Sequence, residues 1–299
     1  MTADDGRNVT GHRRFRLWWV STLVVVFGLG SALFSAWHEA QTPDEPLHFE
    51  WSRRLLDERV TERSSNVYFD SKTPVSMLNV KARRAVRGVV RRVNGPPSQH
   101  ALLFAARLPT VGLLALLLGT VFLAARIWVS ARAAHIATIA CALDPNLIAH
   151  GGLVTVDVAF ALFHLLTLCA AYALARRPSV TGGALLGLAA GLAFATKFSA
   201  VLLIPGAALA LFAADMRVAF ARQGLRRLAV SLLSAAGVAT LTICAAYLFV
   251  GVGTPLSAIG WDSASLARLQ HLVPWLRLPL PTDFLTGFDI SLARERDLE

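Results

Sequence analysis

Two adjacent carboxylates and a histidine, Asp44, Glu45 and His48, stand in the stretch Thr42-Pro43-Asp44-Glu45-Pro46-Leu47-His48, directly after the first long apolar run. Carboxylates beside a histidine can take a proton, orient a hydroxyl or share a divalent cation. The spacing is not diagnostic of a metal, and a divalent cation stays open as a cofactor. Further along lie Lys72, Arg107, Asp144, His150, Asp157 and Lys197. Lysine and arginine can neutralise an anion, and ionisable residues at membrane depth are costly and usually functional. Each also has a plainer reading. Asp44 and Glu45 are acids of a first helical turn, favoured by the helix dipole. His48 can cap or pack, Arg107 and Lys197 can snorkel to headgroups, Asp144 before Pro145 marks a helix terminus, and Asp157 is an N-terminal acid.

The elements that position these residues are membrane spans. The 299 residues are 55% hydrophobic and 16% charged, with a mean hydropathy of +0.54. Soluble domains carry about 25% charged residues, and several apolar runs approach the roughly 20 residues that cross a bilayer. The net charge of +10 does not indicate nucleic-acid binding. The arginines sit at the ends of apolar segments and in one outer loop, which suits orientation in a bilayer and contact with anionic lipid. Cys141, Cys169 and Cys244 lie in apolar runs without metal spacing and read as small buried residues.

The expected organisation begins with a basic cytoplasmic N-terminus at 1–16 and a first transmembrane helix at 17–37. That run is longer than the apolar core of a cleaved signal peptide, so it reads as an uncleaved anchor. An outer loop follows over 38–104, then a multi-span bundle over 105–250 and an outer C-terminal segment over 251–299. In the loop, Thr42 as N-cap, Pro43 at the first position and Glu45 at the third read as a capping box. That helix would run to about Val60, with Leu47, Trp51 and Leu55 on one face. A second helix is predicted over 74–93. Leu78, Ala82, Ala85, Val86, Val89 and Val93 line one side, and Lys81, Arg83, Arg84, Arg87, Arg91 and Arg92 the other, the pattern of a helix in the membrane interface. Asn94-Gly95-Pro96-Pro97 ends it.

Further spans are predicted near 105–125, 133–150, 156–175, 183–197, 199–214 and 228–250. The fifth and sixth are short, and one kinked or re-entrant segment is the alternative there. With the N-terminus inside, seven spans place the basic connections Arg126–Arg132, Arg176-Arg177 and Arg217–Arg227 in the cytoplasm. The chemistry-bearing residues then collect on the outer face. The fold class is all-α: a polytopic helix bundle with amphipathic interfacial helices in its first outer loop.

The order of these residues resembles the GT-C membrane glycosyltransferases, most closely the dolichyl-phosphate-mannose–protein mannosyltransferase and lipid A aminoarabinose transferase group. Asp44-Glu45 is similar to the family's Asp-Glu motif after span one. Ser71-Lys72-Thr73-Pro74 resembles its Lys-Pro-Pro stretch, with Thr73 in place of one proline. Ala106-Arg107-Leu108-Pro109 resembles the Arg-Leu-Pro that opens span two, and Asp157 stands where a second outer-loop acid is expected. Gly187, Gly191, Thr196-Lys197 and Pro205 resemble a later Gly-rich, Thr-Lys segment.

The resemblance implies an enzyme, a glycosyltransferase of mannosyltransferase-like type in a bacterial plasma membrane, acting at the extracytoplasmic face. Its donor would be a sugar on a polyprenyl phosphate or diphosphate, and its acceptor a protein, lipid or glycan, with membrane lipids as further partners. Asp44 would be the base or acceptor-orienting carboxylate, Glu45 its support and Asp157 a second orienting acid. Lys72, Arg107 and Lys197 would meet the donor phosphate. An inverting transfer needs a base on one side of the anomeric carbon and cations on the other. The family usually continues with more spans beyond a stretch like Leu285-Thr286-Gly287-Phe288, so a fragment or a truncated, inactive relative is also expected. The alternatives are a transporter or lipid flippase, or a non-catalytic membrane subunit binding lipid or a partner through the basic helix.

Overall fold

A computed structural model describes residues 5–58, 71–93, 95–213 and 222–296. Among them are twelve α-helices and no strand. They are α1 (Asp5–His38), α2 (Glu45–Arg53, continued by a π-turn Arg54–Glu58), α3 (Val75–Val93), α4 (Gln99–Trp128), α5 (Ala131–Ala142) and α6 (Pro145–Gly151). The second half holds α7 (Asp157–Arg176), α8 (Val180–Thr196), α9 (Leu203–Ala213, entered through a 3-10 turn Phe198–Leu202), α10 (Arg222–Ala246), α11 (Ala264–Leu272) and α12 (Thr282–Arg296). The expected helix end near Val60, Asn94 and the Arg217 end of the last basic connection lie outside the described residues.

Among the described residues four helices are long and apolar enough to cross a membrane: Leu17–His38, Gln99–Trp128, Asp157–Arg176 and Gly224–Ala246. Their outward side chains include Trp18, Leu23, Phe27, Phe34, Leu123, Ile127, Leu233 and Leu241, all largely exposed. So much apolar surface is stable only against lipid, and the chain is an integral membrane protein.

The contacts divide the chain into two units. In the first, residues 1–41 and 82–158, α1 packs on α4, α5 and α6. The span expected over 133–150 is divided there. Asp144 accepts a hydrogen bond from the Leu147 N–H at 2.9 Å and Pro145 follows it, so the chain stops at Ala142 and starts again as α6.

The second unit, residues 42–81 and 159–299, is built on the pair α8–α10. Gly183, Gly187 and Gly191 face Ser231, Ala235 and Ala239 in turn. Both numbers rise together, so the helices are parallel. The chain between them therefore returns along the pair. The 3-10 turn and α9 supply about 26 Å for this, against about 25 Å for α8. Of the segment expected over 199–214, the described part is a 3-10 turn and a helix set off from α8 by the extended Lys197.

The glycines permit the close approach. A methyl group at Gly187 would fall inside the carbonyl oxygen of Ala235, which is backbone and cannot turn aside. Gly187→Ala is therefore expected to cost about 1–3 kcal/mol. Gly237→Ala on α10, where nothing lies within 4 Å, should be neutral or stabilising. Thermal melts of the two variants in detergent check this, and equal melting temperatures would contradict the packing.

Candidate active site

The second unit gathers three of the sequence stretches at the C-terminal ends of α8 and α10. Ser71 Oγ donates to the Ala195 carbonyl and lies 2.5 Å from the Tyr247 hydroxyl. Its single proton is used on Ala195, so Tyr247 is the donor to Ser71. Thr73 Oγ1 donates to the Ala246 carbonyl at 2.8 Å, a bond that a proline at this position could not make. Lys72 is thereby fixed, buried, beside the turn that carries Thr196 and Lys197. Lys197 is half-buried in extended backbone at the end of α8.

The helix α2 is docked onto the same segment. Ser76 Oγ donates to the Lys72 carbonyl at 2.6 Å, and His48 Nδ1 lies 3.2 Å from Ser76 Oγ. The serine proton being spent, His48 Nδ1 carries a hydrogen and donates. His48 is 7% exposed and ties α2 to the start of α3. Trp51, 1% exposed, sits edge-on to Tyr247 at 6.0 Å in an apolar cluster with Phe198, Ile259, Phe284 and Leu285. Leu55 is buried as expected and Leu47 half-buried.

The two acids stand in different settings. The expected cap register differs from the observed one: α2 starts at Glu45, with Asp44 as N-cap residue and Pro46 following. One arm of the capping box is present. Glu45 Oε2 accepts the Thr42 N–H at 2.9 Å, and Glu45 is fully buried. Asp44 is exposed, and its side chain makes no cap hydrogen bond. A bound acid thus stands beside a carboxylate left open to solvent.

In the first unit Arg107 is fully buried at the first turns of α4. Its Nη1 donates to the carbonyls of Ala36 at 3.0 Å and Glu39 at 2.8 Å, and its Nη2 to Ala40 at 2.9 Å. These are carbonyls at the end of α1 that lack helical partners. The structure gives Arg107 this capping task, which the phosphate-binding expectation did not include. Asp157 and His150 are half-exposed, with Oδ2 and Nδ1 3.3 Å apart. That is ion-pair distance, though His150 Nδ1 is outside hydrogen-bonding geometry.

The α3 helix has the expected two sides. Only its first turns are buried, at Val75, Ser76, Met77, Asn79 and Val80, while Leu78, Val89 and Val93 are exposed. Arg83 donates to Gln99 Oε1 at 3.1 Å, and burial, with the Arg87 charge adding, lowers its pKa. Among the described residues no three His, Cys, Asp or Glu side chains come together as metal ligands.

Sequence reading missed the tail. Asp289 is fully buried and accepts the N–H groups of Asp262 at 2.6 Å and Ser263 at 2.9 Å, closing the turn before α11. Asp283, in the first turn of α12, is 9% exposed with no partner at Oδ2. Burial raises its pKa from 3.8 to about 6. The helix N-terminus favours the charge by only about 0.3–1 kcal/mol, and burial outweighs it. The folded chain holds this proton more tightly than the unfolded chain. The resulting stability is full below about pH 4 and is lost as pH rises through about 6. Asp283→Asn is expected to gain roughly 1–3 kcal/mol at pH 7.5 and nothing at pH 4. Melting curves across that range check it, and parallel curves for the two proteins would refute it.

No curated protein and no solved structure matches the chain. A family model does, described as dolichyl-phosphate-mannose-protein mannosyltransferase, over residues 99–250. The match begins after the Asp44-Glu45 stretch, so it rests on α4 through α10 and not on the acids. It takes in the Arg107, Asp157 and Gly187–Lys197 positions and covers just over half of the chain, which belongs to this family of membrane glycosyltransferases.

Proposed function

We propose that the protein transfers a sugar from a polyprenyl-phosphate-linked donor to an acceptor hydroxyl at the extracytoplasmic face of a bacterial plasma membrane. The observation that carries this reading is the pair Asp44 and Glu45, one open and one bound, on a helix docked to the Lys72 segment. Asp44 takes the proton of the acceptor hydroxyl as its oxygen attacks the anomeric carbon. The bond from that carbon to the phosphate oxygen breaks, and the phosphate leaves with the electron pair. Lys72 and Lys197, mounted at one end of α8 and α10, neutralise it. Glu45 holds the Thr42–Glu45 turn, and Arg107 holds the end of α1. The parallel course of α8 and α10 supports the seven-span alternation, in which both run from the cytoplasm outwards. The exposed apolar side of α3 supports its position in the interface, against lipid.

The test is transfer of labelled sugar from a polyprenyl-phosphate donor pool in membranes, wild type against Asp44→Asn at equal expression. Transfer lost in the variant alone supports the assignment. Equal transfer in both removes Asp44 from the reaction, and transfer in neither favours a binding role for the chain.

A further inference from the structure

A cavity of about 630 Å³ opens at the other end of the α8–α10 pair, where both helices begin. By helix length it lies about 25 Å from Lys197. Pro178, Val180 and Val230 supply apolar walls, and Arg226 and Arg227 supply the charge. Ser179 closes the first turn of α8 by accepting the Gly182 N–H at 3.0 Å. Nothing in the proposed transfer uses these residues.

We infer that this cavity binds the headgroup of an anionic phospholipid from the leaflet that the basic connections face. The charge balance is the first reason. From Val158 to Trp261 the sequence holds one acidic residue, Asp215, against Arg176, Arg177, Lys197, Arg217, Arg222, Arg226 and Arg227. Among the described residues no acid lines the cavity, and Arg226 and Arg227 form no ion pair. Two adjacent guanidinium groups put concentrated positive charge at the cavity, and the guanidinium fork matches phosphate oxygens. The volume is the second reason, since it falls in the range of sites that take a small organic group. The wall chemistry is the third. Val230, which lines the cavity, and Leu233, one turn further along the same side of α10, are both substantially exposed. That is a track for acyl chains, which a free phosphate ion would not need. Basic cavities between spans on the cytoplasmic side are suited to such headgroups. The start of α8 adds its positive end to the same spot.

The experiment uses the full-length protein in detergent, stripped of lipid, with the melting temperature followed during titration. The probes are phosphatidylglycerol, phosphatidylcholine and inorganic phosphate. Phosphatidylglycerol is expected to stabilise the wild type at far lower concentration than phosphatidylcholine, with inorganic phosphate ineffective at matched concentration. In Arg226→Gln/Arg227→Gln the half-effective concentration should rise at least tenfold. In Arg126→Gln/Arg132→Gln, which removes the same charge from another basic connection, it should not change. Val230→Trp keeps both arginines and fills the cavity. It should weaken the response as much as the arginine pair, and it decides the matter if that pair fails to fold. Equal loss in the Arg126/Arg132 variant would reduce the effect to diffuse charge. A full response in Val230→Trp would remove the cavity from the account. Equal stabilisation by inorganic phosphate would make it a site for a free anion.

Discussion

Asp44→Asn is expected to lower sugar transfer by about 10²–10⁴-fold, the usual contribution of a positioned general base, while abundance and melting temperature stay as in the wild type. The second half of this expectation comes from the structure. The Asp44 side chain is exposed and makes no cap bond, so α2 does not need its charge. Asparagine also keeps the volume and remains a good N-cap residue. Glu45→Gln should behave differently. Glu45 is fully buried with one oxygen on the Thr42 N–H. Glutamine keeps an acceptor there but leaves an amide N–H₂ to be satisfied in a dry site, at a cost of about 1–3 kcal/mol. Its activity should fall together with its stability. Melting curves beside transfer rates separate the two. An Asp44→Asn protein that melts early, or transfers normally, would contradict the division of labour.

Arg107→Met carries the second large effect. Three backbone carbonyls at the end of α1 lose their donor at once, that of Ala36 in a buried bond and those of Glu39 and Ala40 in part-buried ones. A buried unsatisfied carbonyl costs about 1–3 kcal/mol and the two part-buried ones cost less, so a total of roughly 2–4 kcal/mol is expected. Arg107→Lys can serve one or two of the carbonyls and should recover part of it. A residue that only met donor phosphate would raise the donor KM and leave the melting temperature alone. The capping role predicts a lowered melting temperature without donor present. Unchanged melting in Arg107→Met would return the residue to the phosphate.

The sequence carried the helices better than their connections. The α3 helix runs over Val75–Val93, where the arginine and valine sides lie opposite each other, because periodicity is a local signal. Asp144-Pro145 was legible as a helix terminus, but the apolar run across it masked the break after Ala142. The register of α2 moved by two residues, with Asp44 in place of Thr42 as the N-cap residue and Pro46 at the second helical position. The pinning of Ser71 and Thr73 to Ala195, Ala246 and Tyr247 joins positions 124 to 176 residues apart, which no spacing rule reveals. A tyrosine at the end of an apolar run was the one visible hint, since such residues favour the interface. Arg107 was visible as a charged residue at a span boundary, yet a capping arginine and a phosphate ligand look alike in sequence. The tail past Val250 offered only short mixed segments, although Phe284, Leu285 and Ile290 complete the apolar cluster around Trp51 and Tyr247.

The parallel pairing of α8 and α10 also has a meaning in time. About 48 residues separate Gly183 from Ser231, the first contact of the pair. At ordinary synthesis rates of about 5–20 residues per second, the second helix emerges roughly 2–10 s after the first. Throughout that interval the glycine face of α8 waits for its partner, and it cannot close until the chain has turned back through α9. The mount for Lys72 and Lys197 is thus finished only when α10 has been made, and a ribosomal pause between the two helices lengthens the wait.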